Sequence, residues 1–275
     1  MTGKTLSIVV PVYNEAAVLP ELLDRLEAIS GSLADEFKLA VGFIFIDDGS
    51  SDDSFSILNA HDFGPRPVRL LQFSRNFGKE AALSAGIDAA RSADAAVLMD
   101  ADLQHPPEMI TEFVRIWLDE GADSVYAYKV SRHSSEGYLK AAASRVFFWV
   151  INRNIRYKIP PGAGDFRLIN RRFMKALCSL PESDRFMKGL YGWVGFRQVG
   201  LPLAPAVREH GTSSFGALRL LSITMDAITS FTTTPLRLMA MAGQVLEQAA
   251  PHDAKAHKAD VRLSAHPWNR GSGRP

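Results

Sequence analysis

The chain has 275 residues, 47% of them hydrophobic and 22% charged, with a formal net charge of +1. That is enough apolar material for a full globular core, and it leaves no global electrostatic pull toward nucleic acid. The single cysteine, Cys178, excludes an intramolecular disulfide framework and a four-cysteine zinc site; in the helical-looking stretch 172–180 it reads as a small packed hydrophobe, compatible with a reducing compartment.

Residues 6–10 are an apolar run, broken only by Ser7, that stops at Pro11-Val12-Tyr13-Asn14-Glu15, the pattern of a buried parallel strand followed by a turn. After Glu15, the residues Val18, Leu19, Leu22, Leu23, Leu26 and Ile29 recur at helical spacing and predict one apolar face against a sheet. A second apolar run, Phe43-Ile44-Phe45-Ile46, stops at Asp47-Asp48-Gly49-Ser50. Such Asp-Gly and Ser-Asp pairs also make turns and cap helices. A third run, Ala95-Ala96-Val97-Leu98-Met99, ends in Asp100-Ala101-Asp102. Side chains alternate along a strand, so extended geometry sends both carboxylates off one face, with Gln104 following them. Paired carboxylates at a strand tip call for a divalent cation bridging to phosphates, while a solvated turn before Pro106-Pro107 is the plainer alternative.

Strands are expected over 6–12, 40–47, 68–73, 95–101 and 122–128, and helices over 15–30, 52–60, 79–91 and 107–120. This alternation predicts an α/β fold with a doubly wound, mostly parallel sheet and helices on both faces. The three polar clusters then gather along one edge of the sheet, where such sheets bind ligands. The second half mixes helical runs at 138–152 and 215–231 with loops. Neither an internal repeat nor a P-loop occurs, and Gly162-Ala163-Gly164 lacks the third glycine and preceding strand of a dinucleotide fingerprint.

Pro11-Val12-Tyr13-Asn14-Glu15, Asp47-Asp48-Gly49-Ser50, Ser74-Arg75-Asn76-Phe77-Gly78-Lys79-Glu80 and Asp100-Ala101-Asp102-Leu103-Gln104 occur in this order. Their spacing resembles that of glycosyltransferase family two, the nucleotide-diphospho-sugar transferases with a GT-A fold. Later blocks are similar to the branch that moves a sugar onto a polyprenyl phosphate, which includes dolichol-phosphate mannose synthases and bacterial bactoprenol glucosyltransferases. These blocks are Gly164-Asp165-Phe166-Arg167-Leu168, Arg185-Phe186-Met187-Lys188-Gly189, Trp193-Val194-Gly195-Phe196, Ser230-Phe231 and Pro235-Leu236-Arg237. The resemblance implies a Rossmann-like GT-A domain over residues 1–240, with a nucleotide-sugar half near 1–128 and an acceptor half near 129–240. It also implies inverting, metal-dependent transfer of a hexose from a UDP- or GDP-sugar to undecaprenyl or dolichyl phosphate, at the cytoplasmic face of a membrane.

Breaking the bond from anomeric carbon to phosphate builds negative charge on the leaving diphosphate, which Mg²⁺ or Mn²⁺ held by carboxylates stabilises. Asp102 is the expected direct ligand, with Asp100 between metal and ribose or sugar and Gln104 as a ligand or its orienter. The resemblance places Pro11, Tyr13, Glu15, Asp47 and Asp48 around the nucleoside, with Asp48 as base or ribose contact and Asp47 more structural; Glu15 suits a helix start equally well. Lys79 and Ala101 complete the expected donor set. A phosphate acceptor has its second pKa near ~6, so holding like charges together outweighs deprotonation. The cations for that task are Lys129, Arg132, Arg167, Arg185, Lys188 and Arg208, with Ser213 beside the acceptor; Arg185 and Arg208 are expected in the catalytic group. Asp165 is the carboxylate facing the acceptor, orienting sugar hydroxyls or acting as base.

Two positions depart from the branch. Ser213-Ser214 stands where a Ser-Lys pair is usual, and His105 stands where an acid is common, reading first as a loop residue and second as a metal ligand. Residues 146–151, between Arg145 and Arg153, and the segment 218–231 suit interfacial helices or core helices equally. No run of about 18 apolar residues marks a membrane span, and no basic-then-apolar signal precedes the first strand. Beyond Gly243 the chain turns polar, and residues 241–275 are expected to be a disordered tail where relatives continue into membrane spans. The expectation is therefore a peripheral protein, for which a homo-oligomer is compatible. Two rivals stay open: a family-two transferase with a carbohydrate hydroxyl acceptor, and a non-catalytic nucleotide-sugar binding remnant.

Overall fold

In the computed structural model, residues 3–129, 163–180, 185 and 187–203 are described. All fall within the unit Met1–Thr232; the second unit, Thr233–Pro275, lies outside them, as do the segments 146–151 and 218–231 and the predicted tail. Strands β1 (Thr5–Val12), β2 (Ala40–Asp47), β3 (Val68–Gln72), β4 (Ala95–Leu98) and β5 (Ser124–Lys129) alternate with α1 (Leu19–Phe37), α2 (Ser54–Ala60), α3 (Lys79–Ala89) and α4 (Met109–Glu120). There follow β6 (Ala163–Asn170), α5 (Arg171–Cys178), α6 (Met187–Trp193) and β7 (Gln198–Leu203). Among the described residues these strands form one sheet of order β3-β2-β1-β4-β6-β5-β7.

The sheet is parallel except at β6, which runs antiparallel to both β4 and β5. Its two faces bury separate cores, which is why the strands read as unbroken apolar runs. Leu6, Ile8, Val10, Phe43, Phe45, Val97, Phe166 and Leu168 pack with α1 and α4 on one face. Val9, Ile44, Ile46, Leu98 and Ile169 pack with α3, α5 and α6 on the other. Gly86 lets α3 approach closely, since a Cβ there would lie 2.3 Å from Val9 Cγ1. By period two, Asp165 and Arg167 share the face of Ile169 and so lie under α3 and α6.

Three boundaries differ from the sequence expectation by about three residues or more. Helix α1 starts four residues later than expected, because Glu15 C=O accepts from Val18 N–H and Leu19 N–H in a turn. It ends seven residues later, because Leu33 continues the apolar face past Gly31, and Lys38 stops it in a left-handed conformation (φ 56°). Strand β4 ends at Leu98, so Asp100, Asp102 and Gln104 sit on a turn. The expectation that they share a strand face therefore fails. Strand β6 was not foreseen, because Asp165 and Arg167 interrupt its apolar pattern.

Candidate active site

The β4 tip folds back on itself. Gln104 N–H donates to Asp102 Oδ1 (3.0 Å), and Leu103 adopts a left-handed conformation (φ 54°) that a side chain enters at a cost of about 1 kcal/mol. This turn gathers Asp100, Asp102 and His105, whose ligand atoms all lie within 4.8 Å of one another. His105 is nearly buried, its ring 5.2 Å from that of Phe166. Two carboxylates and an imidazole fit a divalent cation that accepts oxygen and nitrogen donors, Mn²⁺ among them, and the set contains no thiolate that would favour a softer ion. His105 thus joins the acidic pair through the turn. Gln104 is exposed and contributes its backbone N–H to that turn.

Antiparallel pairing of β6 with β4, in register Leu98↔Arg167, carries Asp165 to the side of Asp100. Lys79, at the start of α3, bridges them: its Nζ lies 2.5 Å from Asp100 Oδ1 and 2.8 Å from Asp165 Oδ2. Burial would raise the Asp165 carboxyl, but the Lys79 ammonium, aided by Lys188 and Arg167, holds it below the usual range. Lys79 is pushed up in turn: Asp165 and Asp100 outweigh its own burial. The Glu15 carboxyl is raised by burial and then by Asp102, Asp52 and Asp100. Glu80, next to Lys79, is pushed up to about 7 by burial and by Asp165, against the Met187 N–H that donates to its Oε2 (3.0 Å).

At the β1 and β2 tips, side chains build loops. Asn14, left-handed at φ 55°, accepts from Ser51 N–H through Oδ1 (2.8 Å), while Ser50 Oγ, Ser54 Oγ and Asp52 Oδ2 accept from the N–H groups of Asn14, Glu15 and Ala16. Asp48, expected at the base or ribose, is 3% exposed and accepts from Phe77 N–H and Gly78 N–H through Oδ1 and Oδ2 (2.8 and 2.9 Å). Asp47, expected to be structural, accepts from Ser50 N–H through Oδ1 (3.2 Å), while its buried Oδ2 has no hydrogen-bond partner. Both carboxylates thus hold loop backbone, and Asp47 keeps one oxygen without a hydrogen bond. Gly49 has φ 68°, and a Cβ there would sit 2.4 Å from the Arg75 carbonyl carbon, so the loop admits no side chain. Above it Tyr13 and Phe77 are exposed, with the Arg75 guanidinium 4.0 Å over the Phe77 ring. Pro11 is paired beside Ile46 in the sheet, and Ala101 is buried.

The residues expected on the acceptor side divide. Arg167 is 2% exposed, lies 3.6 Å over the Tyr191 ring, and bonds through Nη2 to Gly164 C=O (3.1 Å); its Nε and Nη1 have no hydrogen-bond partner. Burial holds its guanidinium below the ordinary arginine range. It lies beneath the Tyr191 ring, between Asp165 and Ile169 on β6. Lys188 is exposed on α6, and Arg185 bonds through Nη2 to Leu180 C=O (3.1 Å). Arg132, Arg208 and Ser213 lie outside the described residues, and of Lys129 only the backbone, in β5, is described. Sequence reasoning missed Glu80 and Tyr191, although Glu80 stands inside a quoted block. Tyr191 is 1% exposed with an unpartnered hydroxyl, and burial raises it far above the usual tyrosine range.

Residues 7–178 match the profile of Glycosyl transferase family 2. The chain is 41% identical over 241 residues to an uncharacterized glycosyltransferase of Synechocystis, covering 88% of this chain and 74% of that protein. It is 39% identical over 239 residues to the bactoprenol glucosyl transferase of Shigella phage SfV, covering 86% of this chain and 75% of that protein. Among solved structures, glucosyl-3-phosphoglycerate synthase from Mycobacterium tuberculosis shares the fold, with a TM-score of 0.53 at 21% identity, over 84% of this chain and 80% of that one. With a matching profile over more than half its length and relatives at this identity, the chain belongs to glycosyltransferase family 2 and is a glycosyltransferase of GT-A fold.

Proposed function

We propose that this chain transfers a hexose, glucose in the first instance, from a nucleoside diphosphate to a polyprenyl phosphate, by metal-dependent displacement with inversion. The observation that carries the reading is the Asp100–Asp102–His105 group standing beside a Lys79-bridged Asp165. Those three residues would hold Mg²⁺ or Mn²⁺, with Gln104 orienting the turn, and the ion would supply Lewis-acid stabilisation of the departing diphosphate. Tyr13, Arg75 and Phe77 offer flat surfaces to a nucleobase, and the buried Asp47 holds the loop at Ser50. Asp48, Pro11 and Ala101 shape that pocket from behind, and Glu15 closes its acidic side. Glucose and a polyprenyl acceptor are supported by the name of the Shigella phage relative.

Asp165 separates the two enzymatic readings. A general base for a sugar hydroxyl works best with a pKa near the working pH, whereas Asp165 is held low and its Oδ2 is engaged by Lys79. This favours an acceptor that arrives already ionised, such as a phosphate, which Arg185 and Lys188 would hold together with Lys129, Arg132, Arg208 and Ser213. Among the described residues no helix is long and apolar enough to cross a membrane. The working place we propose is the cytoplasmic surface of the membrane, reached peripherally. The domain is taken as residues 1–240, although β6 and β7 complete the same sheet as β1 to β5.

The test is a screen of UDP- and GDP-hexoses against undecaprenyl phosphate and against free oligosaccharides, with Mn²⁺, Mg²⁺ or chelator, reading products by mass. A glycosyl phosphoprenol formed only with metal is the expected product. Transfer to the oligosaccharide alone, or donor binding without turnover, overturns the reading.

A further inference from the structure

Two facts about Glu80 stand apart from the donor-side machinery. It sits in the first turn of α3 directly after Lys79, yet its carboxylate turns to another part of the chain. Its Oε2 accepts from the backbone N–H of Met187, the first residue of α6 and 107 positions away. Met187 is fully buried, and its Sδ lies 3.9 Å from Ser84 Oγ, one turn further along α3. Helix α6 then continues over the sheet, where Tyr191 covers Arg167. The start of α6 is thus fastened to the start of α3 at one backbone amide.

That amide lies between the two cations expected to meet an acceptor. Arg185 precedes it by two positions and Lys188 follows it directly. Lys188 is close enough to influence Glu80 and Asp165 electrostatically, and Lys79 on the other side of Glu80 grips Asp100 and Asp165. The N–H of a first helical residue has no partner within its own helix, so an outside acceptor decides where that end sits. Here the acceptor is Glu80 Oε2, and the bond is direct and so shorter in reach than a water bridge. We infer that Glu80 is a positioning residue that latches Met187, flanked in sequence by Arg185 and Lys188, to the carboxylate cluster, setting the separation between the acceptor cations and the reacting centre. This rests on the reading of Arg185 and Lys188 as acceptor-phosphate contacts.

The geometry makes the side chain's length more important than its charge. Glu80→Gln keeps a carbonyl oxygen at the same reach, whereas Glu80→Asp keeps the charge and withdraws it by one methylene. KM for undecaprenyl phosphate and for the nucleotide sugar are measured separately for wild type and both variants, with thermal melts to show that each is folded. The amide exchange of Met187 is followed in the same proteins. The expected result is an acceptor KM raised at least about tenfold in Glu80→Asp, with donor KM within about twofold, and near-wild-type values in Glu80→Gln. Met187 exchange should accelerate in Glu80→Asp alone. Equal rises for both substrates, a Glu80→Gln as impaired as Glu80→Asp, or unchanged Met187 exchange in Glu80→Asp would overturn the inference. Should wild type fail to use polyprenyl phosphate at all, the function reading falls, while the exchange measurement still decides whether the latch exists.

Discussion

At the tips of β1 and β2, Asp48, Asn14, Asp52, Ser50 and Ser54 direct their oxygens at backbone N–H groups, so buried polarity there builds loops. At the start of β6 the polar groups are spent differently. Asp165, Arg167 and Tyr191 are buried with atoms that no hydrogen bond satisfies, and their ionisation is displaced by burial and by one another. The first arrangement makes a rigid seat from local chemistry. The second holds charge in place at a cost to the fold, which is typical of atoms kept for work on a substrate. Asp47 Oδ2 is an exception on the first side, a buried acceptor with no partner beside an otherwise satisfied loop.

The largest expected effect tests the ground between these regions. Asp102→Asn removes a ligand charge from a turn outside the core, so turnover should fall by about 10³ or more while the melting temperature stays near wild type. A Mn²⁺ titration of activity alongside a thermal melt checks both halves. Next is the satisfied side. Asp48→Ala strands the N–H groups of Phe77 and Gly78, and unfolding in urea should show a loss of about 2–4 kcal/mol.

On the other side, protonation should carry part of the stability. The Glu80 carboxyl binds its proton more tightly folded, at about 7, than unfolded, at the ordinary value of 4.5. Its contribution is therefore complete below the unfolded value and is lost as pH rises through the folded one, by roughly 2–3 kcal/mol at most. Glu80→Gln should flatten the stability profile between those two pH values, as measured by denaturant midpoints across the range. An unchanged slope would mean that Glu80 is not the group titrating. The smallest effect sharpens the contrast most: Arg167→Met replaces a desolvated guanidinium by an apolar side chain that still covers Tyr191. Stability should change by less than about 1 kcal/mol, with activity falling because Asp165 loses a cationic neighbour. A large stability loss with normal turnover would show that the charge serves the fold.

Alternation of apolar runs and amphipathic helices determined β1 to β5, α1 to α4 and the doubly wound plan, because burial on both faces of a parallel sheet needs little beyond local pattern. The same reading found Asp100 and Asp102, since acids that end an apolar run stand out in one dimension, whereas Asp165 stood out only through the family resemblance. Tertiary structure alone decided how they meet. Period-two geometry no longer described Asp100 and Asp102 once β4 ended at Leu98; the turn with its left-handed Leu103 returned the chain so that His105 joined them. What holds the Asp48 carboxylate depends on where the N–H groups of Phe77 and Gly78 arrive, some thirty residues along the chain. Arg167 is an ordinary arginine in sequence and a buried one only because β6 inserts antiparallel between β4 and β5, under α6. Glu80 became visible through a hydrogen bond to an amide more than a hundred residues away. Backbone amides carry no sequence signature, so the partners they select are known only when the chain has folded.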